Sequence, residues 1–156
     1  MWCSDTVMPL RISLRAATRC LLLLMPVLLM PALARADLYV IVNKANAIES
    51  INTDHLERVY MMKARRFENG VTAEPISHAE GSKPRETFNK KVLGRTEQQL
   101  RYYWSRRMFA GGERPPPSAV NDAEIESFVA SREGGIGYLT VAPKDERVKT
   151  VMVVKD

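Results

Sequence analysis

The spacing of apolar positions changes several times along the chain, and each spacing predicts a different element. A continuous apolar run rich in β-branched residues at 38–43 predicts a buried strand followed by a turn. Beyond it, Leu56, Val59 and Tyr60 fall at helical spacing, which predicts a helix with one apolar stripe. Thr53 precedes that stripe and belongs to the residue types that cap helices well. A strand followed by a helix is therefore expected at this point of the chain.

The next two elements are predicted from prolines and glycines as much as from apolar residues. A second strand is expected over 72–77, where Pro75 favours an edge position or an early end. Ser82 then stands before a helix whose first turn tolerates Pro84, and Gly94 is expected to end that helix. The inward face of this helix is expected to consist of Phe88, Val92 and Leu93.

Two capping boxes predict the starts of two further helices. In segments 96–99 and 121–124, the first and last side chains can each satisfy a backbone donor of the other residue. The apolar positions that follow recur at helical spacing, which favours faces buried in the core over a groove for a partner. These positions are Leu100, Tyr103, Trp104 and Met108 in the first helix, and Ile125, Phe128 and Val129 in the second.

Two strands complete the pattern towards the C-terminal end. Segment 134–141 contains a glycine turn that leads into an apolar strand, and 148–154 is expected to form another strand. Between the third and fourth helices, the glycines and prolines of 111–117 exclude regular structure and suit either a binding loop or a spacer. The resulting order, β-α-β-α-α-α-β-β, predicts an α/β fold with helices packed on a mixed sheet.

The N-terminal segment 1–36 has the pattern of a secretory signal. Basic residues precede an apolar run at 20–33, which ends in a small-x-small sequence at 34–36. A membrane span needs about 20 apolar residues, and this run is shorter and interrupted by two prolines. We therefore expect a cleaved signal peptide over 1–36 and an exported, periplasmic domain over 37–156 that is not stably inserted in a membrane.

Composition narrows the chemistry of the exported domain. Both cysteines, Cys3 and Cys20, lie in the predicted signal, so no thiol remains for a disulfide, a metal site or a nucleophile. Removing the signal lowers the formal charge from +5 to +2, and a nucleic-acid partner is not expected.

His55 and His78 are too far apart for a metal-ligand motif, so neither a metal nor a cofactor is expected. With no Ser-His-Asp or Gly-x-Ser-x-Gly pattern, the protein is not expected to be an enzyme.

Three segments, in this order along the chain, resemble motifs of the periplasmic phosphate-binding proteins of ABC transporters. They are the helix segment 51–60, the loop segment 78–88 and the Gly-Gly-Ile-Gly-Tyr sequence at 134–138. The resemblance extends over roughly 38–142 and is greater to the short, single-lobe members of that superfamily. It implies a single lobe of the type II periplasmic-binding-protein fold, with solute binding as the activity.

The same loop is a candidate anion site on physical grounds. Gly81 and Ser82 open a predicted helix, where backbone N–H groups and the positive end of the helix dipole attract anions. The alternative is ordinary capping, because Ser82 is a good N-cap residue with or without a ligand. Positive charge near this turn comes from His78, Lys83 and Arg85.

The resemblance assigns further positions in this loop. It places His78 where the family has a phosphate-clamping arginine, Glu80 where it has an aspartate, and Ser82 on its serine. Lys83 and Pro84 stand where the family has a glycine and a threonine. An arginine donates two parallel hydrogen bonds to an oxyanion, and Pro84 lacks a backbone N–H, so Lys83 would have to compensate with its charge.

Two functions are consistent with these motifs. The first is an exported solute-binding-like protein that recognises a small anion such as phosphate near Ser82. The alternative is a ligand-free interaction module of the cell envelope that presents its surface to a membrane sensor or another protein. Because 120 residues provide about one lobe, a tight anion site would need a shallow pocket, a homodimer or an envelope protein partner.

Overall fold

The chain forms a mixed sheet in the computed structural model, which describes residues 37–155. The strands are β1 (Leu38–Asn43), β2 (Glu74–Pro75), β3 (Ser77–His78), β4 (Ser118–Ala119), β5 (Gly135–Leu139) and β6 (Val148–Val154). The main sheet has the order β2-β5-β1-β6, in which β1 is antiparallel to both neighbours and β2 is parallel to β5. Strands β3 and β4 form a separate parallel pair. The predicted signal segment 1–36 lies outside the described residues.

In the described part of the chain, four α-helices accompany these strands. They are α1 (Thr53–Tyr60), α2 (Lys83–Phe88), α3 (Glu97–Gly111) and α4 (Asp122–Ala130). Helix α2 continues into a π-helical turn, Asn89–Leu93, which ends at Gly94. Gly94 has a φ of 60°, the left-handed conformation typical of a glycine that ends a helix, as predicted. Between residues 37 and 155, no helix is both long enough and apolar enough to cross a membrane.

The side chains of β1 contribute to two cores because successive residues of a strand point to opposite faces of a sheet. Leu38, Val40 and Val42 lie in the first core, which also contains residues of α1, α2 and α3. Ile41 lies in the second core together with Ile125 of α4. Helices therefore cover both faces of the mixed sheet, and the predicted α/β architecture is confirmed.

The helix caps follow the sequence closely at two positions. Thr96 Oγ1 accepts a hydrogen bond from the Gln99 N–H at 3.3 Å, and Gln99 Oε1 accepts one from the Thr96 N–H at 2.9 Å. The predicted capping box of α3 is therefore confirmed. At α4, Asn121 Oδ1 accepts from the Glu124 N–H at 2.9 Å, but the Glu124 carboxylate accepts from the Val120 N–H. Only half of that predicted box forms.

The cap of α1 was assigned to the wrong residue from the sequence. Asn52 is the N-cap, and its side chain accepts a hydrogen bond from the His55 N–H at 2.7 Å. Thr53 is already the first helical residue. Asparagine and threonine are both good N-cap residues, so two adjacent candidates left the boundary open by one position.

The single strand predicted over 72–77 is also corrected by the structure. The Ile76 N–H donates to the Ile136 carbonyl, whereas the next N–H, of Ser77, donates to the Pro117 carbonyl. The chain thus changes partners after one residue, from β5 in the main sheet to the segment that leads into β4. Two short strands with different partners therefore replace one longer strand.

Helix α3 buries less of its predicted inward face than expected. Leu100 and Trp104 are buried and Tyr103 is half-buried, but Met108 is 46% exposed. The prediction of a core position at Met108 is therefore wrong. The first half of the helix packs on the core, whereas the apolar residues of its second half are in contact with solvent.

Candidate anion-binding site

Three aromatic rings form the base on which the candidate loop is built. The rings of Phe88 and Tyr138 stack with centroids 4.0 Å apart and an interplanar angle of 2°, and the Tyr60 ring lies 4.7 Å from that of Phe88. Tyr60, Phe88 and Tyr138 come from segments 51–60, 78–88 and 134–138, respectively. The three sequence motifs, which are far apart along the chain, therefore meet in the first core.

The hydroxyl groups of the two tyrosines fix the chain just before the loop. Tyr138 Oη lies 2.8 Å from Ser77 Oγ and accepts a hydrogen bond from the His78 N–H at 3.2 Å. Tyr60 Oη donates to the Ile76 carbonyl at 2.9 Å. Burial raises the pKa of both phenols, so both remain protonated hydrogen-bonding groups. Residues 76–78 are thereby held against the core.

His78 lies beneath the loop and is committed to buried partners. Its Nε2 is 3.1 Å from the Tyr138 carbonyl oxygen and 3.3 Å from Asp122 Oδ1. Burial lowers the pKa of His78, and this effect outweighs the opposing effects of Asp122 and of the bond to the Tyr138 carbonyl. The neutral ring is favoured, and it joins the start of the loop to α4 and β5.

The turn before α2 contains backbone N–H groups without internal acceptors, although the Ser82 N–H donates to the Ala79 carbonyl at 3.2 Å. Gly81 has a φ of +80°, a conformation that glycine adopts readily, and Ser82 is extended. Within residues 37–155, the N–H groups of Gly81, Lys83 and Arg85 donate to no backbone carbonyl. Ser82 Oγ donates to the Ala79 carbonyl at 2.7 Å and makes no capping bond to the helix. These N–H groups and the exposed Lys83 side chain are the donors that the turn can offer.

Arg85 is occupied by a carboxylate from another helix. Its Nε and Nη2 donate to Glu97 Oε2 and Oε1 at 3.1 and 2.9 Å, and Asn89 Nδ2 donates to Glu97 Oε2 at 2.7 Å. The third guanidinium nitrogen, Nη1, donates to the His78 carbonyl at 3.1 Å. The side chains of Arg85 and Glu97 are only 15% and 17% exposed. This bidentate ion pair connects α2 to the first turn of α3.

Glu80 is directed to α3 by its own ion pair. Its Oε1 accepts a hydrogen bond from Arg101 Nη1 at 2.7 Å, and both side chains are exposed. The structure thus gathers Gly81, Ser82 and Lys83 on one turn. The side chains of His78, Glu80 and Arg85 are instead bonded to residues of other elements. Glu97 and Asp122 were missed, because their spacing from the loop in sequence gives no sign of contact.

A metal site is not formed by the described residues. Between residues 37 and 155, no group of three or more His, Cys, Asp or Glu side chains is placed to hold a metal ion. The chemistry that the turn can offer is hydrogen bonding by N–H and ammonium donors, which suits an anion.

Comparisons with known proteins relate this geometry to a fold. No protein-family model and no curated protein sequence matches the chain. Among solved structures, it is similar to a phosphate ABC transporter substrate-binding protein with bound phosphate from Clostridium perfringens. The two are 20% identical with a TM-score of 0.56, over 74% of this chain and 45% of the other.

Two further structures give the same result. An ABC-type phosphate transport receptor from Vibrio cholerae is 16% identical with a TM-score of 0.57, over 74% of this chain and 46% of the receptor. PstS from Borrelia burgdorferi is 11% identical with a TM-score of 0.51, over 67% of this chain and 41% of PstS. The predicted resemblance to phosphate-binding proteins is confirmed at the level of fold, and the chain spans less than half the length of these matches.

Proposed function

We propose that this protein is an exported, solute-binding-like protein that recognises a small oxyanion such as phosphate at the turn before α2. The observation that supports the proposal most is the set of N–H groups at Gly81, Lys83 and Arg85, which have no backbone acceptor among the described residues. The fold adds support, because one structurally similar protein contains bound phosphate.

The proposed contacts follow from the position of each group. An oxyanion at the start of α2 would accept hydrogen bonds from the backbone and gain from the helix dipole. The Lys83 ammonium would add charge, and Ser82 Oγ would exchange its bond to the Ala79 carbonyl for one to the ligand. In this proposal His78 and Arg85 do not contact the anion and instead hold the turn in place.

Isothermal titration of the purified protein with phosphate tests the proposal. Low salt is needed because ions screen exposed charges, and sulfate serves as the comparison anion. We expect saturable heat that disappears in the double variant Ser82→Ala, Lys83→Ala. The control variant is Lys90→Ala, which removes an exposed lysine from the π-helical turn and is expected to keep the heat.

Either of two results would contradict anion binding at this turn. The first is the absence of heat for both anions, which would leave the ligand-free interaction module as the remaining hypothesis. The second is unchanged heat in the Ser82→Ala, Lys83→Ala variant, which would place the anion elsewhere on the protein.

Export is a separate part of the proposal and has its own test. A fusion of residues 1–40 to an alkaline phosphatase that lacks its own signal should give periplasmic phosphatase activity. Mass spectrometry of the native protein should then show a chain that starts at Asp37. A chain that retains 1–36, or a fusion that remains in the cytoplasm, would contradict the assignment.

A further inference from the structure

The outer face of α3 carries aromatic side chains in contact with solvent. Phe109 is 91% exposed and Tyr102 is 66% exposed, whereas only Leu100 and Trp104 of this helix are buried. Tyr102, Arg106 and Phe109 are separated by four and three positions, so they share one stripe on the side away from the core. Large exposed aromatic residues on one stripe are a feature of binding surfaces.

A concave surface of about 730 Å³ lies along this helix. Its lining residues run from Arg95 to Ala110, and the helical part from Gln98 to Ala110 corresponds to ~18 Å at the rise of an α-helix. That length matches ~5–6 residues of an extended chain and exceeds what a small inorganic anion would fill. Arginine, tyrosine and glutamine side chains line the groove, and none of its lining residues is acidic.

The positive charge in this groove is not balanced internally. Arg95 and Arg106 form no ion pair with another described residue, whereas the neighbouring Arg107 is paired with Glu113. The guanidinium of Arg106 lies 5.7 Å from the centre of the Tyr102 ring, and that of Arg95 lies 6.0 Å from the Tyr103 ring. Aromatic faces orient these cations but leave their hydrogen-bonding capacity available.

One donor in the groove is buried as well as unpaired. Arg95 Nε is shielded from solvent and has no hydrogen-bond partner among the described residues. A buried donor without an acceptor costs free energy. Arg95 and Arg106 together form a cationic site flanked by Tyr102 and Tyr103.

We propose that this α3 groove is a docking site for an acidic peptide segment of a partner protein that also carries aromatic side chains. The charges are complementary, since the groove has unpaired arginines and no carboxylate among its lining residues. Tyrosine and arginine are the residue types enriched at the energetic centres of protein interfaces. The length of the groove suits an extended peptide better than a single small ligand. This site is on α3 and is distinct from the anion turn before α2.

Fluorescence polarisation with a labelled octapeptide of six acidic residues and two phenylalanines tests this site. We expect saturable binding to the protein and at least tenfold weaker binding to Arg106→Glu. Tyr102→Ala is expected to weaken binding too. An octapeptide with glutamine in place of the acidic residues should not bind.

The matched control is Lys144→Glu, which makes the same change of charge next to α4, on the other face of the sheet. Its affinity for the acidic octapeptide is expected to stay within twofold of that of the parent protein. Because Arg106 is exposed, Arg106→Glu should fold normally, and circular dichroism verifies this. Arg106→Gln provides a milder variant with the same expected direction.

Four results would overturn the proposal. The first is the absence of octapeptide binding. The second is that Lys144→Glu weakens octapeptide binding as much as Arg106→Glu does, which would indicate diffuse attraction between net charges. The third is dimerisation in analytical ultracentrifugation that Arg106→Glu abolishes, which would identify a second copy as the occupant. The fourth is Arg106-dependent binding to phosphatidylglycerol vesicles without octapeptide binding, which would identify a membrane surface.

Discussion

The ring of Phe88, at the end of α2, stacks in parallel on the ring of Tyr138 in β5, with 4.0 Å between the centroids. Above this stack the Tyr138 hydroxyl bonds the Ser77 side chain and the His78 backbone. A single residue of β5 thus contacts both the helix that follows the candidate turn and the strand that precedes it. The position of the turn is therefore determined by the core and not by the loop alone.

Replacing Tyr138 with phenylalanine tests that relationship. The ring stack is kept, but the hydrogen bonds to Ser77 and His78 are lost, so the free energy of unfolding should fall by about 1–3 kcal/mol. Urea denaturation measures the change. Tyr39→Phe is the control, because the Tyr39 hydroxyl has no hydrogen-bond partner among the described residues, and a change of less than about 0.5 kcal/mol is expected there. Equal effects of both variants would contradict the role assigned to the Tyr138 hydroxyl.

The buried ring of His78 predicts a loss of stability at acid pH. Its pKa is lowered in the folded protein, chiefly by burial, whereas in the unfolded chain a histidine titrates near pH ~6.5. Below that pH the unfolded state binds the proton more readily, so the free energy of unfolding should fall from about pH 7 downwards. The fall should level off once the pH is below the folded-state pKa.

Chemical denaturation at a series of pH values checks this prediction. In His78→Gln, whose amide can still donate to the Tyr138 carbonyl, the fall between about pH 7 and 5.5 should be reduced. His55→Gln leaves His78 in place and should retain the fall. A parent protein whose stability is flat over this window would show that the His78 ring is not kept neutral.

The conformation of Gly81 makes a specific prediction for alanine substitution. At a φ of +80° a side chain strains the backbone, although open space surrounds the position, so Gly81→Ala should destabilise the protein by about 1–2 kcal/mol. Gly111→Ala is the matched control, since it lies in the last turn of α3 at an ordinary φ and should be neutral or stabilising by up to about 1 kcal/mol. Thermal denaturation of the two variants measures this difference. A Gly81→Ala variant as stable as the parent would contradict the left-handed backbone conformation at residue 81.

The pair formed by Arg85 and Glu97 should behave as a coupled unit. Its side chains are mostly buried and share two hydrogen bonds, so the coupling should exceed the ~0–1 kcal/mol of surface pairs. A double-mutant cycle with Arg85→Gln and Glu97→Gln measures it from urea denaturation. We expect a coupling energy of about 1–3 kcal/mol between the two side chains. Additive single effects would show that the pair does not join α2 to α3.

The elements that the sequence predicted well have local causes. The capping box at Thr96 and Gln99 depends on residues three positions apart, and the stop at Gly94 depends on one residue. The split of 72–77 could not be predicted, because it depends on Ile136 and Pro117, which lie far along the chain. Met108 was misassigned because helical spacing identifies a face but not where the underlying core ends.

The candidate site divides in the same way. The helix start at Ser82 was predicted, since it follows from residue type. The left-handed backbone conformation of Gly81 was not predicted. The partner of Arg85 was not, because Glu97 lies twelve positions away on a different helix. The positive charge at Arg85 is visible in the sequence, but the carboxylate that neutralises it is determined only by the packing of α2 against α3.

The pairing of β1 has a consequence for how the chain folds in time. Tyr39 pairs with Leu139, and Leu38 with Val154, so the first strand waits for partners a hundred or more positions later in synthesis. Such distant contacts slow folding, because a long loop must close before they form. Until β5 and β6 are made, the apolar strand Leu38–Asn43 has no sheet to join. A chain truncated before β5 should therefore aggregate, and the full chain should reach its folded state slowly.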